Sequence, residues 1–170
     1  PLNTIVDLGC GVGMSTFALQ DRFPEAEMIG IDLSPYFLAV AQSRGDAQER
    51  QVSWRHAAAE MTGLPDHSVD LVSFSLVFHE IPAEGARTIF AEMHRILRPG
   101  GYLALMDMNP QASAHRKMPP FVLALLKSTE PFLDDYFSFD IAEAIAAAGF
   151  QTPTQTVSSP RHRTIIAQAK

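Results

Sequence analysis

The chain has one cysteine, Cys10, and no basic excess: 13 Lys and Arg stand against 19 Asp and Glu, a formal net charge of -6 and a pI near 5.4. A lone thiol excludes an internal disulfide, so the expected setting is a reducing, cytoplasmic one. The acidic balance supplies no global positive field, which argues against nucleic acid or an anionic membrane as partner. No apolar run approaches the roughly 18 residues of a membrane helix, and there is no internal repeat or low-complexity tract. A starting methionine is also missing. Pro1 stands in its place and strand-like residues follow at once, so an N-terminal piece is expected to precede this sequence, with any targeting segment in it. What the 170 residues do hold, 46% hydrophobic and 19% charged, suits one ordinary folded domain over 1–170. The oligomeric state stays open.

Short β-rich runs alternate with helical segments. Ile5 to Leu8 reads as a first strand followed by a helix at "FALQDRF", and Glu27 to Asp32 as a second strand. Ser34 then caps a helix that has Pro35 at its first position and Gly45 after its last turn. "VSWRHA" and "VDLVSFS" suit the third and fourth strands. Ile89, Phe90, Met93, Ile96 and Leu97 recur at helical spacing, "RPGG" ends that helix, and "YLALMDM" is the fifth strand. Residues 109–139, with four prolines and the apolar patch "FVLALL", read as an inserted helical segment on the substrate side. Asp140 and Glu143 open a further helix that ends at Gly149, and "TPTQTVSS" and "RTIIAQAK" pair as antiparallel strands. The fold class predicted is α/β: a doubly wound, mostly parallel sheet with helices on both faces and an antiparallel C-terminal hairpin. Ligands bind such sheets beyond the C-terminal strand ends.

At one such end lies "VDLGCGVGMS", where Gly9, Gly11 and Gly13 leave backbone bare between the first strand and its helix. Asp32 ends the second strand, where an acidic residue accepts hydrogen bonds from ribose hydroxyls, so a nucleoside is implied. The dinucleotide fingerprint G-x-G-x-x-G requires a third glycine at position 14, and Met14 stands there. Asp7 is a second objection, because a carboxylate repels a pyrophosphate and attracts a sulfonium or ammonium.

Taken together, "VDLGCGVG", "GIDLSP", "LPDHSVDLV" and "ILRPGGYLAL" resemble, in order and spacing, the motifs of the class I S-adenosylmethionine-dependent methyltransferases, over about residues 4–108. The resemblance implies a Rossmann-like methyltransferase fold, S-adenosyl-L-methionine as cofactor and S-adenosyl-L-homocysteine as product. It would place Asp7 near the amino-acid end of the cofactor, Gly9, Cys10, Gly11 and Gly13 in the loop beneath it, Asp32 at the ribose and Leu33 on an adenine face. Many relatives carry an acidic residue at the third-strand end, where this chain has Ala58, which leaves adenine to Ala58, Ala59, Glu60 or water. Ser75 stands where Asn is frequent, with its carbonyl facing the cofactor amine.

Methyl transfer from a sulfonium is an in-line displacement with an activated leaving group, so positioning carries most of the catalysis and a base is optional. His79 and Glu80 follow the fourth strand and are the candidates to take a proton or orient an acceptor; capping the next helix is the alternative role. "HEIPA" lacks the second histidine of H-E-x-x-H, since Ala83 stands there, so no metal is expected. Phe78, Asp107, Asn109 and Tyr136 are assigned to the acceptor side, with turn or packing roles as the alternative for the last three. Cys10 has no adjacent base and is not expected to be a nucleophile. The small basic cluster "PRHR", residues 160–163, reads as a solvated turn. No D-P-P-Y-like sequence follows the fourth strand, where "SLVF" stands, which argues against methylation of base amino groups. The expected function is therefore methyl transfer to a small organic acceptor. A nicotinamide-dependent oxidoreductase and a non-catalytic cofactor-binding regulatory module remain as alternatives, and the acceptor atom is unspecified.

Overall fold

The computed structural model of the chain describes residues 2–170, apart from the side chains of residues 115 and 116; Pro1 lies outside the described residues. Seven strands form one sheet in the order β3-β2-β1-β4-β5-β7-β6. These are β1 (Thr4–Leu8), β2 (Glu27–Asp32), β3 (Ser53–His56), β4 (Val69–Ser75), β5 (Leu97–Met108), β6 (Thr154–Val157) and β7 (His162–Gln168). The first five pair in parallel, β7 runs antiparallel to β5, and β6 to β7. The order reverses direction at β1, whose neighbours are β2 and β4, and the loops that leave β1, β2 and β4 converge at that crevice.

Alternation along the strands builds two layers. On one face Ile5, Met28 and Leu71 pack with Leu19 and Phe23 from around α1 (Met14–Arg22). On the other, Val6, Leu8, Val72, Phe74, Leu103 and Leu105 meet Ile89, Phe90, Met93 and Ile96 of α3 (Ala83–Ile96) and Ile141, Ala144 and Ile145 of α7 (Ile141–Ala147). The apolar spacing noted for α3 is its buried stripe.

Local chemistry accounts for most boundaries. Ser34 accepts a hydrogen bond from the Phe37 amide and Pro35 takes the first position of α2 (Pro35–Ala47), while Asp140 accepts from the Glu143 amide to open α7. Three boundaries differ from the sequence expectation. α1 begins at Met14, not Phe17, because the backbone at Gly13 forms its cap without a side chain. Gly45 lies inside α2, beside the Phe17 ring, where a Cβ would stand in ordinary contact at 3.7 Å. β5 reaches back to Leu97, since Leu97 pairs with Val69 before the register shifts at a bulge, so "RPGG" lies within the strand.

A substitution-sensitive contact between neighbouring strands is at Gly30 of β2: a Cβ there would stand 2.4 Å from the ring of Trp54, its partner on β3. The indole lies across that bare backbone and meets Phe17 edge-on at 5.9 Å. Residues 109–139 hold α4 (Ser113–Arg116), α5 (Pro120–Thr129) and α6 (Leu133–Ser138). Leu133 and Tyr136 of α6 are buried, whereas α5 buries no residue fully. No helix among the described residues is long and apolar enough to cross a membrane.

Candidate functional site

The β1–α1 loop takes the backbone past the end of β1 with left-handed dihedrals at Gly9 (φ 60°) and Gly11 (φ 52°). A Cβ at Gly9 would meet Val77 at 2.7 Å, whereas one at Gly11 would meet nothing within 4 Å, because Gly11 faces open space. That space is a cavity of about 680 Å3 lined by Gly9, Gly11, Asp32, Leu33, Ala58, Ala59, Glu60, Ser75 and Glu80. A second cavity of about 580 Å3 shares Gly9, Ser75 and Leu76 with it and continues past Cys10, Ser15 and Met106. Phe37, Val77, Ile81, Thr88 and Ile89 also line the larger cavity. Sequence reasoning missed them; Phe37 and the pair Thr88 and Ile89 lie on helices whose facing could have been read from helical spacing.

Asp32 is set by its neighbours. Oδ2 accepts from the Gly11 amide and Oδ1 from the Ser34 amide, both at 2.8 Å, so the carboxylate is fixed at the cavity wall with lone pairs to spare. Asp7 is completely buried behind the loop and lines neither cavity. Its Oδ2 accepts from Ser15 Oγ at 2.6 Å and Thr16 Oγ1 at 2.7 Å, which ties β1 to α1, while Oδ1 has no hydrogen-bond partner. Burial pushes its pKa up, helped by the charge of Asp32, against the hydroxyls of Ser15, Thr16 and Ser73 that favour the charged form. Gly13 lines neither cavity and packs against Trp54 and Phe17. The Cys10 thiol is buried, and desolvation, followed by the charges of Asp7 and Asp32, raises its pKa far above the thiolate range, so it is no nucleophile.

On the acceptor-side set, the structure brings residues together but turns most of them inward. Phe78 and His79 belong to a single 3-10 turn, Phe78–Glu80, directly after β4. Phe78 stacks on Phe90 at 5.1 Å and meets Tyr136 edge-on at 6.0 Å. Tyr136 donates to the Met108 carbonyl at 2.6 Å, and the Asn109 side chain accepts from the Gln111 amide within a turn. Asp107 is fully buried. Phe78, His79, Asp107, Asn109 and Tyr136 line neither cavity. Within this set His79 keeps one edge outward: its Nδ1 lies 2.7 Å from Asp107 Oδ1, and its Nε2 lies 4.0 Å from both Glu80 Oε1 and Glu130 Oε2. Burial alone would lower the imidazole pKa, but the hydrogen bond and charge of Asp107, then Glu130 and Glu80, outweigh it and raise the pKa above the ordinary value. Glu130 has no sequence signal, since it reaches the turn only through the fold.

The expectation of a solvated "PRHR" turn needs correcting at its last residue. Arg163 is buried in β7, donates to Gln155 at 3.2 Å and lies over the Tyr136 ring.

A family model described as a methyltransferase domain matches residues 5–101, more than half of the chain. The chain is 38% identical over 116 residues to a trans-aconitate 2-methyltransferase of Azoarcus sp. (strain BH72), covering 68% of this chain and 43% of that protein. It is 30% identical over 149 residues to a malonyl-[acyl-carrier protein] O-methyltransferase of Coxiella burnetii, covering 76% of this chain and 48% of that one. The chain thus spans less than half the length of these curated relatives. Its fold superposes on a SAM-dependent methyltransferase from Aquifex aeolicus with a TM-score of 0.76 at 18% identity, over 99% of this chain and 82% of the other. The glycine loop, the fixed Asp32, the strand order and these likenesses agree: the chain belongs to the class I S-adenosylmethionine-dependent methyltransferases.

Proposed function

We propose that the chain binds S-adenosylmethionine along the larger cavity and transfers its methyl group to a small organic acceptor. The observation that carries this reading is Asp32: a carboxylate held by two backbone amides beside the open face of Gly11 presents fixed acceptors to a vicinal diol. The residues present fit the cofactor. Leu33 is 69% exposed at the cavity wall, where it offers an apolar face to a purine, and the unpartnered Asp7 Oδ1 supplies negative charge behind the loop for a cationic amino-acid end. Ala58, Ala59 and Glu60 take the purine edge, and the Ser75 backbone the amine side. Gly9, Cys10 and Gly13 complete the loop, Gly13 from behind it.

When bound, the cofactor supplies a methyl group on a sulfonium leaving group. The acceptor approaches past the 3-10 turn and the inserted segment 109–139. There His79, oriented by Asp107, and Glu80 orient the acceptor or take its proton, while Phe78, Asn109 and Tyr136 hold that wall in shape. The relatives carry names as different as trans-aconitate, demethylmenaquinone and malonyl-[acyl-carrier protein] methyltransferases, which supports a small organic acceptor without selecting one. A reducing, cytoplasmic setting without nucleic-acid or membrane partners is part of this reading, supported by the unpaired Cys10 thiol and the acidic balance.

Calorimetric titration tests it. S-adenosylhomocysteine is expected to bind and NAD not to; tighter binding of NAD than of S-adenosylhomocysteine would overturn it. Cofactor binding with no methyl transfer to any acid, amine or phenol in a panel of acceptors would leave a binding module instead of an enzyme.

A further inference from the structure

We infer that His79, Glu80 and Glu130 form a divalent-cation site at the mouth of the cleft. His79 Nε2 and one oxygen of each carboxylate all lie within 4.8 Å of one another. Ligands bound to a shared cation at about 2.1 Å each stand roughly 3 to 4 Å apart, so small rotations of the two Glu side chains close the site. The linear sequence holds no such motif. The fold supplies the third ligand from the end of α5, where Glu130 is fixed at both sides: its amide donates to Leu126 and its carbonyl accepts from the Leu133 amide.

The imidazole is built as a ligand. Its side chain is only 8% exposed, and Asp107 holds it twice, through Nδ1 at 2.7 Å and through the His79 backbone amide at 3.2 Å. That fixes the ring and leaves Nε2, with no hydrogen bond of its own, aimed between the two carboxylates. A carboxylate behind a histidine ring is the usual support for a metal-binding imidazole.

Charge points the same way. Three carboxylates, from Asp107, Glu80 and Glu130, converge on one imidazole, and even its protonated form leaves two negative charges. Among the described residues, neither Glu80 nor Glu130 pairs with a Lys or Arg, since Lys127 pairs with Asp134 and Arg163 donates to Gln155 and lies over Tyr136. A divalent cation neutralises that excess. One imidazole nitrogen with two carboxylate oxygens suits Mn2+, Fe2+ or Zn2+ better than Mg2+ or Ca2+.

The consequence for chemistry rests on the proposed function. Glu80 lines the larger cavity, so a cation held there borders the acceptor position and its open coordination sites fit an acceptor with a carboxylate or phosphate oxygen. Without it, this acidic mouth repels such an acceptor. His79 and Glu80 then orient the acceptor through the ion.

Mn2+ added to the cofactor-free protein, followed by loss of the free-ion electron paramagnetic resonance signal, tests the site. One ion per chain is expected. Glu80→Gln, at an exposed position, and Glu130→Gln should each weaken Mn2+ binding more than tenfold, and Asp107→Asn by about 10- to 100-fold through the ring it orients. Circular dichroism confirms the fold of each variant, and S-adenosylhomocysteine affinity of Glu130→Gln, a residue that lines neither cavity, stays unchanged. Absent Mn2+ binding at 1 mM, or binding that survives Glu80→Gln and Glu130→Gln together, overturns the site and leaves the cluster as a proton-relay pair. If Mn2+ binds but S-adenosylhomocysteine does not, the cation site stands and the methyl-transfer reading fails.

Discussion

The cofactor half and the acceptor half of the cleft are built by different means. Around Asp32 the working groups are largely backbone: the amides of Gly11 and Ser34 fix one carboxylate, and bare glycine opens the space beside it. Around His79 they are side chains from three segments, the 3-10 turn, the end of β5 and the end of α5, and a buried carboxylate sets the geometry. A backbone-built site depends on local sequence, whereas a side-chain-built one depends on the whole fold.

Substitution at Asp107 should separate the halves most strongly. Asp107→Ala leaves the His79 ring and the amides of His79 and Met108 without their acceptor in the core, at a cost of about 3 to 5 kcal/mol. Urea unfolding measures it, and the variant that remains folded should bind S-adenosylhomocysteine within about threefold of the parent. A larger loss of affinity would show that the halves are coupled.

Outside both halves, Glu92 of α3 ties that helix to the segment after β3: it accepts from the Thr62 amide and hydroxyl and from Arg95. Hydrogen bonds from Arg95, opposed by burial and helped by Thr62, hold its pKa down to about 2. A depressed carboxylate stabilises the fold fully above its unfolded value of 4.5, and that contribution disappears as pH falls toward 2. Glu92→Gln should lower stability at pH 7 by on the order of 2 to 3 kcal/mol and flatten its decline over the same acid range. An acid limb as steep as the parent's would place the titration elsewhere.

Asp32→Ala should act on affinity alone, costing about 1.5 to 3 kcal/mol of S-adenosylhomocysteine binding, since the freed amides face a cleft that water can enter. An unchanged dissociation constant would remove Asp32 from the site.

These contrasts also explain what could be read from the chain before folding. The glycine loop, Asp32, the Ser34 and Asp140 caps and the buried stripe of α3 are local patterns, and each appears where expected. Gly45 misled because a glycine that ends a helix and one that lies inside its last turn look alike in sequence. The start of α1 misled because its cap at Gly13 is backbone geometry with no side-chain signature. On the acceptor side the residue types were legible but not their facing. Asn109 accepts from the Gln111 amide of its own turn, whereas Tyr136 reaches the Met108 carbonyl, and Glu130 His79, through tertiary packing.

The smallest effect expected is at Ala58, which lines the cavity between Ala57 and Ala59 and offers no side-chain acceptor there. Ala58→Asp adds an acceptor for the adenine amine, a charge-assisted bond partly offset by desolvation, for a net gain of about threefold to tenfold in S-adenosylhomocysteine affinity. An analogue with hydrogen in place of that amine should gain nothing. Equal gains for both ligands would reduce the effect to general attraction between charges.

The indole that lies across Gly30 is the chain's sole tryptophan, and its far edge rests against the underside of Gly13, where a Cβ would stand 2.9 Å from it. The protein therefore carries a built-in optical reporter behind the nucleotide loop, close to the cofactor half and on the opposite layer from His79. Excited at the red edge of its absorption, its emission should follow a ligand settling on the loop and ignore a cation at the far mouth, so one cuvette can register the two occupancies independently.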